Sequence, residues 1–454
     1  MQEGNETVIY VELLKALYGT MRAARLFWEK LSKQLVDWGF KINPYDRCVA
    51  NKMINGTQCT VAWHVDDVKI SHVEKEVVDR VIHDLETKFG KEAPLSKSRG
   101  KVHDYLGMIL DFSVDGELRI NMIPYIKMVL AALPSNMRGR AATPAASYLY
   151  KINNVNPVYL DEETVDLFHS VTMQLMYLAQ RGRPDTLTAV SFLSSRVQQP
   201  DTDDYKKLAR VTKYLDSTQD LVLRLAAASD GTIRWWVDAS YAVHPDMRGH
   251  TGGTMSLGSG SVYSTARKQK IVTRSSTECE LVGVYDVLPQ MEWTRLFLQE
   301  QGYTMKDSVL YQDNMSAMLL EKNGKASSSK RTKHIHMRYF YVKDKVDSGE
   351  LRIEHCPTKE MLADFFTKPL QGALFRTMRD RVMNIDPNSP YYSAHRSVLT
   401  QDDDTNREDV AGGKERTDGL KDEGHKDGHK DDVKSIDDDD EGWILVKRYG
   451  RAQP

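Results

Sequence analysis

The sequence predicts an α/β protein that has more than one domain and ends in an acidic, disordered tail. Between residues 231 and 370, strand and helix patterns follow one another in the order β, β-hairpin, α, β, α, α, β, α, which indicates a mixed sheet covered by helices. The length of 454 residues suggests two to four domains, and a hydrophobic content of 41% is sufficient for their cores. From about residue 384 onward, the apolar periodicity stops.

The composition argues against several classes of protein. No apolar run reaches 18 residues, so no membrane span is predicted, and the polar, acidic start does not resemble a secretory signal. The four cysteines are far apart and form no C-x-x-C pair: Cys48, Cys59, Cys279 and Cys356. This spacing argues against a structural zinc site and indicates a reducing compartment. We therefore expect a cytoplasmic or nuclear protein, not a secreted one.

The charges are distributed unevenly along the chain. Residues 400–442 contain 17 acidic and 7 basic residues, whereas the rest of the chain contains 47 acidic and 55 basic residues. The mildly basic body is compatible with a polyanionic partner. Two interpretations of the acidic tail remain open. Either it competes with that partner for the basic surface, or it only keeps the protein in solution.

Residues 8 to about 225 mix helical patterns, such as ARLFWEKLSKQLVDWGF and TVDLFHSVTMQLMYLAQ, with strand patterns. Two runs rich in β-forming residues flank the adjacent acids Asp66 and Asp67 in VAWHVDDVKI, which predicts a hairpin. The two carboxylates repel each other unless a cation lies between them. The pair is therefore either a solvated turn or part of a metal site.

Four acids stand at the ends or starts of elements in the second patterned region. Asp238 directly follows the strand GTIRWWV, and Asp313 is the last residue of the strand VLYQD. Glu280 lies in the helix that begins at SSTECE, and Asp364 lies in the helix TKEMLADFFTK. Folding can gather such acids at one rim of a mixed sheet. Phosphodiester cleavage by two magnesium ions requires a group of carboxylate ligands of this kind. Because 64 residues are Asp or Glu, the spacing alone leaves other sets of four possible.

A family resemblance is carried by three C-terminal segments, VDASYAVHPDMRGHTGGTMSLGSGSVYSTARKQKIVTRSSTECELVGVYD, YQDNMSAMLLEKN and KRTKHIHMRYFYVKDKVDSGELRIEHCPTKEMLADFFTKPL. They resemble the ribonuclease H domain of copia-type long-terminal-repeat retrotransposon polyproteins, over about 140 residues and in the family's order. The resemblance implies that Asp238, Glu280, Asp313 and Asp364 bind Mg²⁺, with Mn²⁺ as a substitute. Glu278 is the alternative to Glu280, which is preferred because an apolar helical run follows it.

The N-terminal segments ALYGTMRAARLFWEKL and VAWHVDDVKI resemble the Gly-Leu-Lys-Gln-Ala-Pro-Arg and Tyr-Val-Asp-Asp segments of the reverse transcriptase of the same family. This resemblance makes Asp66 and Asp67 the metal ligands of a polymerase palm. The chain departs from the family at three positions, Arg22 for Gln, Ala24 for Pro and His64 for Tyr. In the family, the strand with the third palm carboxylate lies upstream of this segment. Because only fifteen residues precede Ala16, we expect that strand and the fingers subdomain to be missing and polymerisation to be lost.

The resemblances predict four segments in an α+β and α/β arrangement: a truncated reverse transcriptase palm over 1–115, a mostly helical thumb and connection over 116–228, a ribonuclease H-like mixed-sheet domain over 229–382, and the tail over 383–454. The predicted function is hydrolysis of RNA in RNA/DNA hybrids. The alternative is an inactive retroelement remnant that acts, if at all, as a nucleic-acid-binding or assembly module. The expected partner is an RNA/DNA hybrid or another nucleic acid, and the oligomeric state is left open.

Overall fold

The computed structural model describes residues 2–3, 6–7, 17, 19–91, 94–323, 336–385 and 443–448. They form helices and both parallel and antiparallel sheets, which confirms the predicted α/β fold class. The predicted disordered tail lies outside the described residues, except for one strand at 443–448. Within the described part of the chain, no helix combines the length and apolar content needed to cross a membrane.

The described strands, in chain order, are β1 (Gln2–Glu3), β2 (Glu6–Thr7), β3 (Lys41–Ile42), β4 (Val49–Ile54), β5 (Thr57–His64), β6 (Asp67–Ser71), β7 (Leu95–Arg99), β8 (Val102–Tyr105), β9 (Met108–Asp111), β10 (Glu117–Asn121), β11 (Leu223–Ala227), β12 (Thr232–Ser240), β13 (His250–Ser256), β14 (Gly258–Ser259), β15 (Tyr263–Lys268), β16 (Asp307–Gln312), β17 (Arg352–His355) and β18 (Trp443–Arg448). The described α-helices are α1 (Met21–Asp37), α2 (Lys75–Phe89), α3 (Ile123–Ala131), α4 (Glu162–Arg181), α5 (Leu187–Ser194), α6 (Thr202–Ser217), α7 (Ser276–Glu300), α8 (Met315–Asn323), α9 (His336–Asp347), α10 (Asp364–Thr367) and α11 (Gly372–Met383).

The N-terminal sheet has the strand order β3-β4-β5-β6-β18-β7. Along β5, Cys59, Val61 and Trp63 are buried and alternate with more exposed residues, as a strand with one covered face requires. Helices α1 and α2 supply that cover, because their apolar positions recur with helical spacing and join the same core. The predicted hairpin around the two adjacent aspartates is the connection between β5 and β6.

The second sheet is antiparallel, with the order β8-β9-β10-β11-β14, and a large core surrounds helices α3 to α6. Helices α3 to α6 make up much of the region 116–228, which also contains strands β10 and β11. This sheet joins strands from both sides of the predicted limits near residues 115 and 228, because β9 pairs with β10 and β11 pairs with β14. The exact limits of the domains stay a prediction.

The third sheet has the order β15-β13-β12-β16-β17. The first three strands pair in an antiparallel manner, whereas β12, β16 and β17 run parallel to one another. Helices α7 and α9 contribute to the core on one face, and α10 and α5 lie against β12, β13 and β15. The element order is the one predicted between residues 231 and 370. Across the sheet, therefore, the five strands stand in the order third, second, first, fourth and fifth of their sequence along the chain.

One buried carboxylate makes the stability of this region dependent on pH. Both side-chain oxygens of Glu321 in α8 are buried, and neither has a hydrogen-bond partner within the described residues. Burial raises the pKa of Glu321 from 4.5 to about 8. Between these two values the folded protein binds more protons than the unfolded chain, so stability falls as pH rises, by up to about 1.4 kcal/mol per pH unit.

We therefore expect a Glu321→Gln variant to exceed the parent in free energy of unfolding at pH 8, with the difference shrinking towards pH 5. The amide keeps the volume but has no ionised form to bury. Urea unfolding at pH 5, 6.5 and 8 measures this, with the exposed Glu360→Gln as the matched control. A difference between Glu321→Gln and parent that does not change with pH would contradict the prediction.

Candidate metal centre

Three carboxylates from separate parts of the chain meet at one rim of the third sheet. Asp238 lies near the end of the central strand β12, Asp313 directly follows the adjacent parallel strand β16, and Asp364 is the first residue of α10. One oxygen from each lies within 4.8 Å of the others. Because β12 and β16 run in the same direction, their carboxyl ends reach the same edge of the sheet. Within the described residues, this is the only group of three or more His, Cys, Asp or Glu side chains close enough to hold a metal ion.

Two glycines allow the helices on either face to approach this rim closely. Gly252 of β13 pairs with Asp238 of β12. A Cβ atom at Gly252 would lie 2.8 Å from the carbonyl oxygen of Ala363, the residue just before α10. On the other face, a Cβ atom at Gly283 of α7 would lie 3.3 Å from the Cβ atom of Ala239. Larger residues at these positions would push the helices, and the acids that they carry, away from β12.

The negative charges at the rim are concentrated and shielded from water. Asp238 and Asp364 are 3% and 7% exposed, and Asp313 is half-buried. Burial, and then the charge of Asp238, raises the pKa of Asp364 to about 7. Burial, followed by the charges of Asp238 and Asp313, also raises the pKa of Glu280 well above its usual value. Such shifts show that a cation placed among these groups would be strongly stabilised.

The two candidate glutamates of α7 have different partners. The Glu280 carboxylate accepts a hydrogen bond of 2.9 Å from the backbone N–H of Ala239, directly after Asp238. The Glu278 carboxylate instead accepts one from the backbone N–H of Arg274, while its own N–H donates to the Ser275 hydroxyl at the helix start. Glu280 is therefore beside the carboxylate group, whereas Glu278 bonds to the backbone just before the N-cap residue Ser275 of α7. The assignment of Glu280 as a ligand stays a prediction, because it is not part of the group of three.

Two neighbours of the acids were not singled out from the sequence. The Thr367 hydroxyl donates to Asp238, and the Lys368 ammonium lies 2.5 Å from an Asp364 oxygen and 3.5 Å from an Asp238 oxygen. Burial alone would lower the pKa of Lys368, but Asp238 and Asp364 raise it. The acid–lysine spacing of four residues, which places both side chains on one helical face, is the pattern that could have identified Lys368.

The N-terminal aspartates are not part of a comparable group. Asp67 is the first residue of β6 and pairs with His64, so the turn consists of Val65 and Asp66. Val65 has a φ angle of 53°, a left-handed conformation that is costly for a β-branched residue. Within the described part of the chain, no third acid, histidine or cysteine joins Asp66 and Asp67 in a metal-binding arrangement. Their role as metal ligands stays a prediction.

Curated relatives were compared with the whole chain. No family model matches it. The chain is 27% identical over 377 residues to the retrovirus-related Pol polyprotein from transposon TNT 1-94 of Nicotiana tabacum. It is 28% identical over 373 residues to the corresponding polyprotein from transposon RE1 of Arabidopsis thaliana, and each alignment covers 82% of this chain. The resemblance to copia-type Pol polyproteins is confirmed.

The copia-type relatives differ greatly in length. This chain spans 28% and 25% of the tobacco and Arabidopsis polyproteins. It also matches a putative transposon Ty5-1 protein of Saccharomyces cerevisiae at 24% identity over 282 residues, which is 62% of this chain and 89% of the yeast protein. The similarity therefore covers most of this chain but only a part of the longer polyproteins.

Solved structures resemble part of the chain. LC11-RNase H1, isolated from compost, has 12% identity and a TM-score of 0.23, covering 30% of this chain and 91% of that one. Its complex with an RNA/DNA hybrid has 13% identity and a TM-score of 0.22, covering 30% and 92%. An N-terminal RNase H domain from Mycobacterium tuberculosis has 11% identity and a TM-score of 0.22, covering 37% and 97%.

Proposed function

We propose that this chain hydrolyses the RNA strand of RNA/DNA hybrids at the rim of its third sheet, with Mg²⁺ held by Asp238, Glu280, Asp313 and Asp364. The observation that carries this proposal is the convergence of three carboxylates that lie far apart in sequence but within 4.8 Å of one another in the fold. The similarity of 82% of this chain to copia-type Pol polyproteins supports the same class of function.

The donor set fits a hard divalent cation. Every proposed ligand atom is a carboxylate oxygen, which is the donor type that Mg²⁺ and Mn²⁺ prefer. The raised pKa values of Glu280 and Asp364 arise from burial and from the charges of neighbouring carboxylates, and a bound cation would offset the second cause. Cysteine and histidine are absent from the group, which excludes the usual donor set of structural zinc.

The residues of the chain have separable roles in this mechanism. Magnesium, when bound, would stabilise the charge that develops on the scissile phosphate and favour ionisation of the attacking water. The Ala239 N–H holds the Glu280 carboxylate, and the Thr367 hydroxyl holds that of Asp238, so both acids are positioned before substrate arrives. Among Asp238, Asp313 and Asp364, Asp313 is the most accessible to solvent and therefore to a substrate phosphate.

A basic strand end lies beside the rim and suits the backbone of a nucleic acid. Gly252 of β13 pairs with Asp238 of β12 on one side and with Ala266 of β15 on the other. Two strand spacings therefore separate the backbones of Asp238 and Ala266, a distance of about 10 Å. Arg267, Lys268 and Lys270 follow Ala266. Phosphates are their natural partners, and hybrids are distinguished more by their shape and the 2′-hydroxyl than by base edges.

The proposal is tested by incubating the purified chain with an end-labelled RNA/DNA hybrid. We expect RNA cleavage that requires Mg²⁺ or Mn²⁺ and stops with a chelator, while single-stranded RNA and duplex DNA stay intact. Hybrid binding without cleavage, in the presence of metal, would favour the inactive nucleic-acid-binding alternative. Cleavage that continues with the chelator would reject the metal mechanism.

Primer extension is expected to be undetectable for this chain alone. Within the described residues, no third carboxylate joins Asp66 and Asp67 in a group close enough to hold a metal ion, and two adjacent acids do not hold two ions in line with a nucleotide. Incorporation of deoxynucleotides on a primed RNA template measures this activity. The Asp66→Asn variant is the control for contaminating polymerase. Incorporation by the parent chain that the variant lacks would contradict the prediction.

Lys368 is expected to compete with the metal ion. Its ammonium group neutralises Asp364 and Asp238, so metal binding has to displace a favourable charge interaction. An interaction of about 1 kcal/mol corresponds to about fivefold in affinity, and we expect Lys368→Met to bind Mg²⁺ more tightly by about this factor. The shift of Tm with Mg²⁺ concentration measures this without substrate. Lys359→Met, at an exposed position, is the control. An unchanged or weaker metal dependence in Lys368→Met would contradict the prediction.

A further inference from the structure

The N-terminal sheet contains a parallel strand pair with another strand between them. Strand β18 pairs in an antiparallel manner with β6 on one side and with β7 on the other. It follows that β6 and β7 run in the same direction, and α2 is the connection between them along the chain. Residues 67–99 therefore form a β-α-β unit whose two strands are separated by the width of one further strand.

That separation has a physical consequence. Neighbouring strands lie about 4.8 Å apart, so β6 and β7 are about 9.6 Å apart and cannot bond directly to each other. Without an occupant, β6 would keep an open edge along four residues and β7 along five. Unpaired backbone groups within a sheet are costly, because folding removes them from water without replacing their hydrogen bonds.

We propose that this gap is a strand-binding site and that its occupant is the chain's own C-terminal segment, residues 443–448. The segment pairs with β6 from Trp443↔Ser71 to Val446↔Val68 and with β7 from Ile444↔Arg99 to Arg448↔Leu95. Its sequence, WILVKR, has the β-forming composition that a central strand requires. The site is distinct from the candidate metal centre and does not depend on the proposed hydrolysis.

The C-terminal strand β18 ends its pairing with β6 next to Asp67, one of the two hairpin acids. The last residue pair between β18 and β6 is Val446↔Val68, and the next residues along the two strands are Lys447 and Asp67. The segment contains two basic residues and no acidic residue. The C-terminal strand thus completes the sheet beside Asp67 without contributing a carboxylate. It stabilises the N-terminal unit and leaves the pair of aspartates without a third acid from this strand.

Strand pairing is first tested by cross-linking in the full chain. Leu445 pairs with Ser98 of β7, so we expect the double variant Ser98→Cys, Leu445→Cys to form an intramolecular disulfide on mild oxidation. The control is Ser194→Cys, Leu445→Cys, whose first position is in α5 of another unit. Peptide mapping by mass spectrometry separates this bond from products of the four native cysteines. A bond formed only between two copies, or formed equally in the control, would overturn the proposal.

The energetic role is tested by hydrogen exchange in full-length Val446→Pro, which removes a backbone N–H from the central part of β18. Val446→Thr is the matched control, because threonine keeps the N–H and suits a strand. We expect amides of β6 and β7 to exchange at least tenfold faster in the proline variant, with β12 and β16 unchanged. Added peptide of residues 441–450 should restore protection. Equal protection of β6 and β7 in both variants would overturn the proposal.

Discussion

An Asp238→Asn variant is expected to lose hybrid cleavage by about 10³-fold or more while keeping its fold. The amide has the shape of the carboxylate but lacks the charge, so it cannot neutralise a cation in the group of three acids. Stability changes little, because two effects oppose each other. The pKa values of Glu280 and Asp364 fall when the neighbouring charge is removed, whereas the 3.5 Å contact with Lys368 weakens.

Initial cleavage rates and thermal unfolding, measured on the same preparation, separate these effects. Asp347→Asn is the matched control, because Asp347 lies in the same unit, has a side chain that is 58% exposed and pairs with Lys343 outside the acid group. We expect the control to retain most of the parent rate. If Asp238→Asn cleaved at the parent rate, Asp238 would not be a metal ligand of the proposed site. If it lost folding and activity together, Asp238 would have a structural role.

An Asp185→Ala variant is expected to lose about 3–5 kcal/mol of stability, the largest effect that we predict for a single side chain. Asp185 and Arg183 are both almost fully buried and form two parallel hydrogen bonds of 2.9 and 2.8 Å. The Tyr214 hydroxyl donates to the same carboxylate at 2.6 Å. Removal of the carboxylate leaves the guanidinium buried without a counter-ion, and this uncompensated charge is the origin of the loss.

The matched control for this prediction is Glu29→Ala. Glu29 pairs with Arg25 four residues earlier in α1, and both side chains are exposed, at 46% and 80%, so its loss should cost less than about 1 kcal/mol. Urea unfolding monitored by circular dichroism measures both variants. Equal losses in the two variants would show that burial does not govern the contribution of the Arg183–Asp185 pair.

The Arg183–Asp185 pair directly precedes α5, the helix that packs against the elements carrying the candidate metal ligands. Directly after it, α5 contacts the third sheet, because the Thr188 hydroxyl donates to the Phe365 carbonyl and the Ser191 hydroxyl donates to the Ala266 carbonyl. Phe365 is adjacent to Asp364 in α10. The helical region is therefore packed against the elements that position the acids, and the third sheet shares a core with it.

Much of the third sheet could be predicted from the sequence, because its elements are encoded locally. The apolar strands before Asp238 and Asp313, and the helix that starts at a Ser/Thr cap, have patterns that depend only on neighbouring residues. The helical phase also distinguishes Glu280 from Glu278, since residues two apart point to different sides. The family resemblance then selected four acids from 64.

Other features depend on contacts between segments that are remote in the chain. No local pattern shows that the Lys368 ammonium lies between Asp364 and Asp238, or that Gly252 and Gly283 allow two helices to approach β12. The second sheet crosses the limits predicted near residues 115 and 228, because strand pairing is independent of distance along the sequence.

The sequence by itself determined the types of the elements, their order along the chain between residues 231 and 370, and the positions of Asp238 and Asp313 next to strand ends. These properties follow from the periodicity of side chains within one segment, and a segment of ten residues is enough to display it. Only the tertiary structure decided which acids meet, what lies between them, and that β18 fills the gap between β6 and β7. The backbone hydrogen bonds that join strands are the same for every sequence, so partners are chosen by the packing of the whole chain.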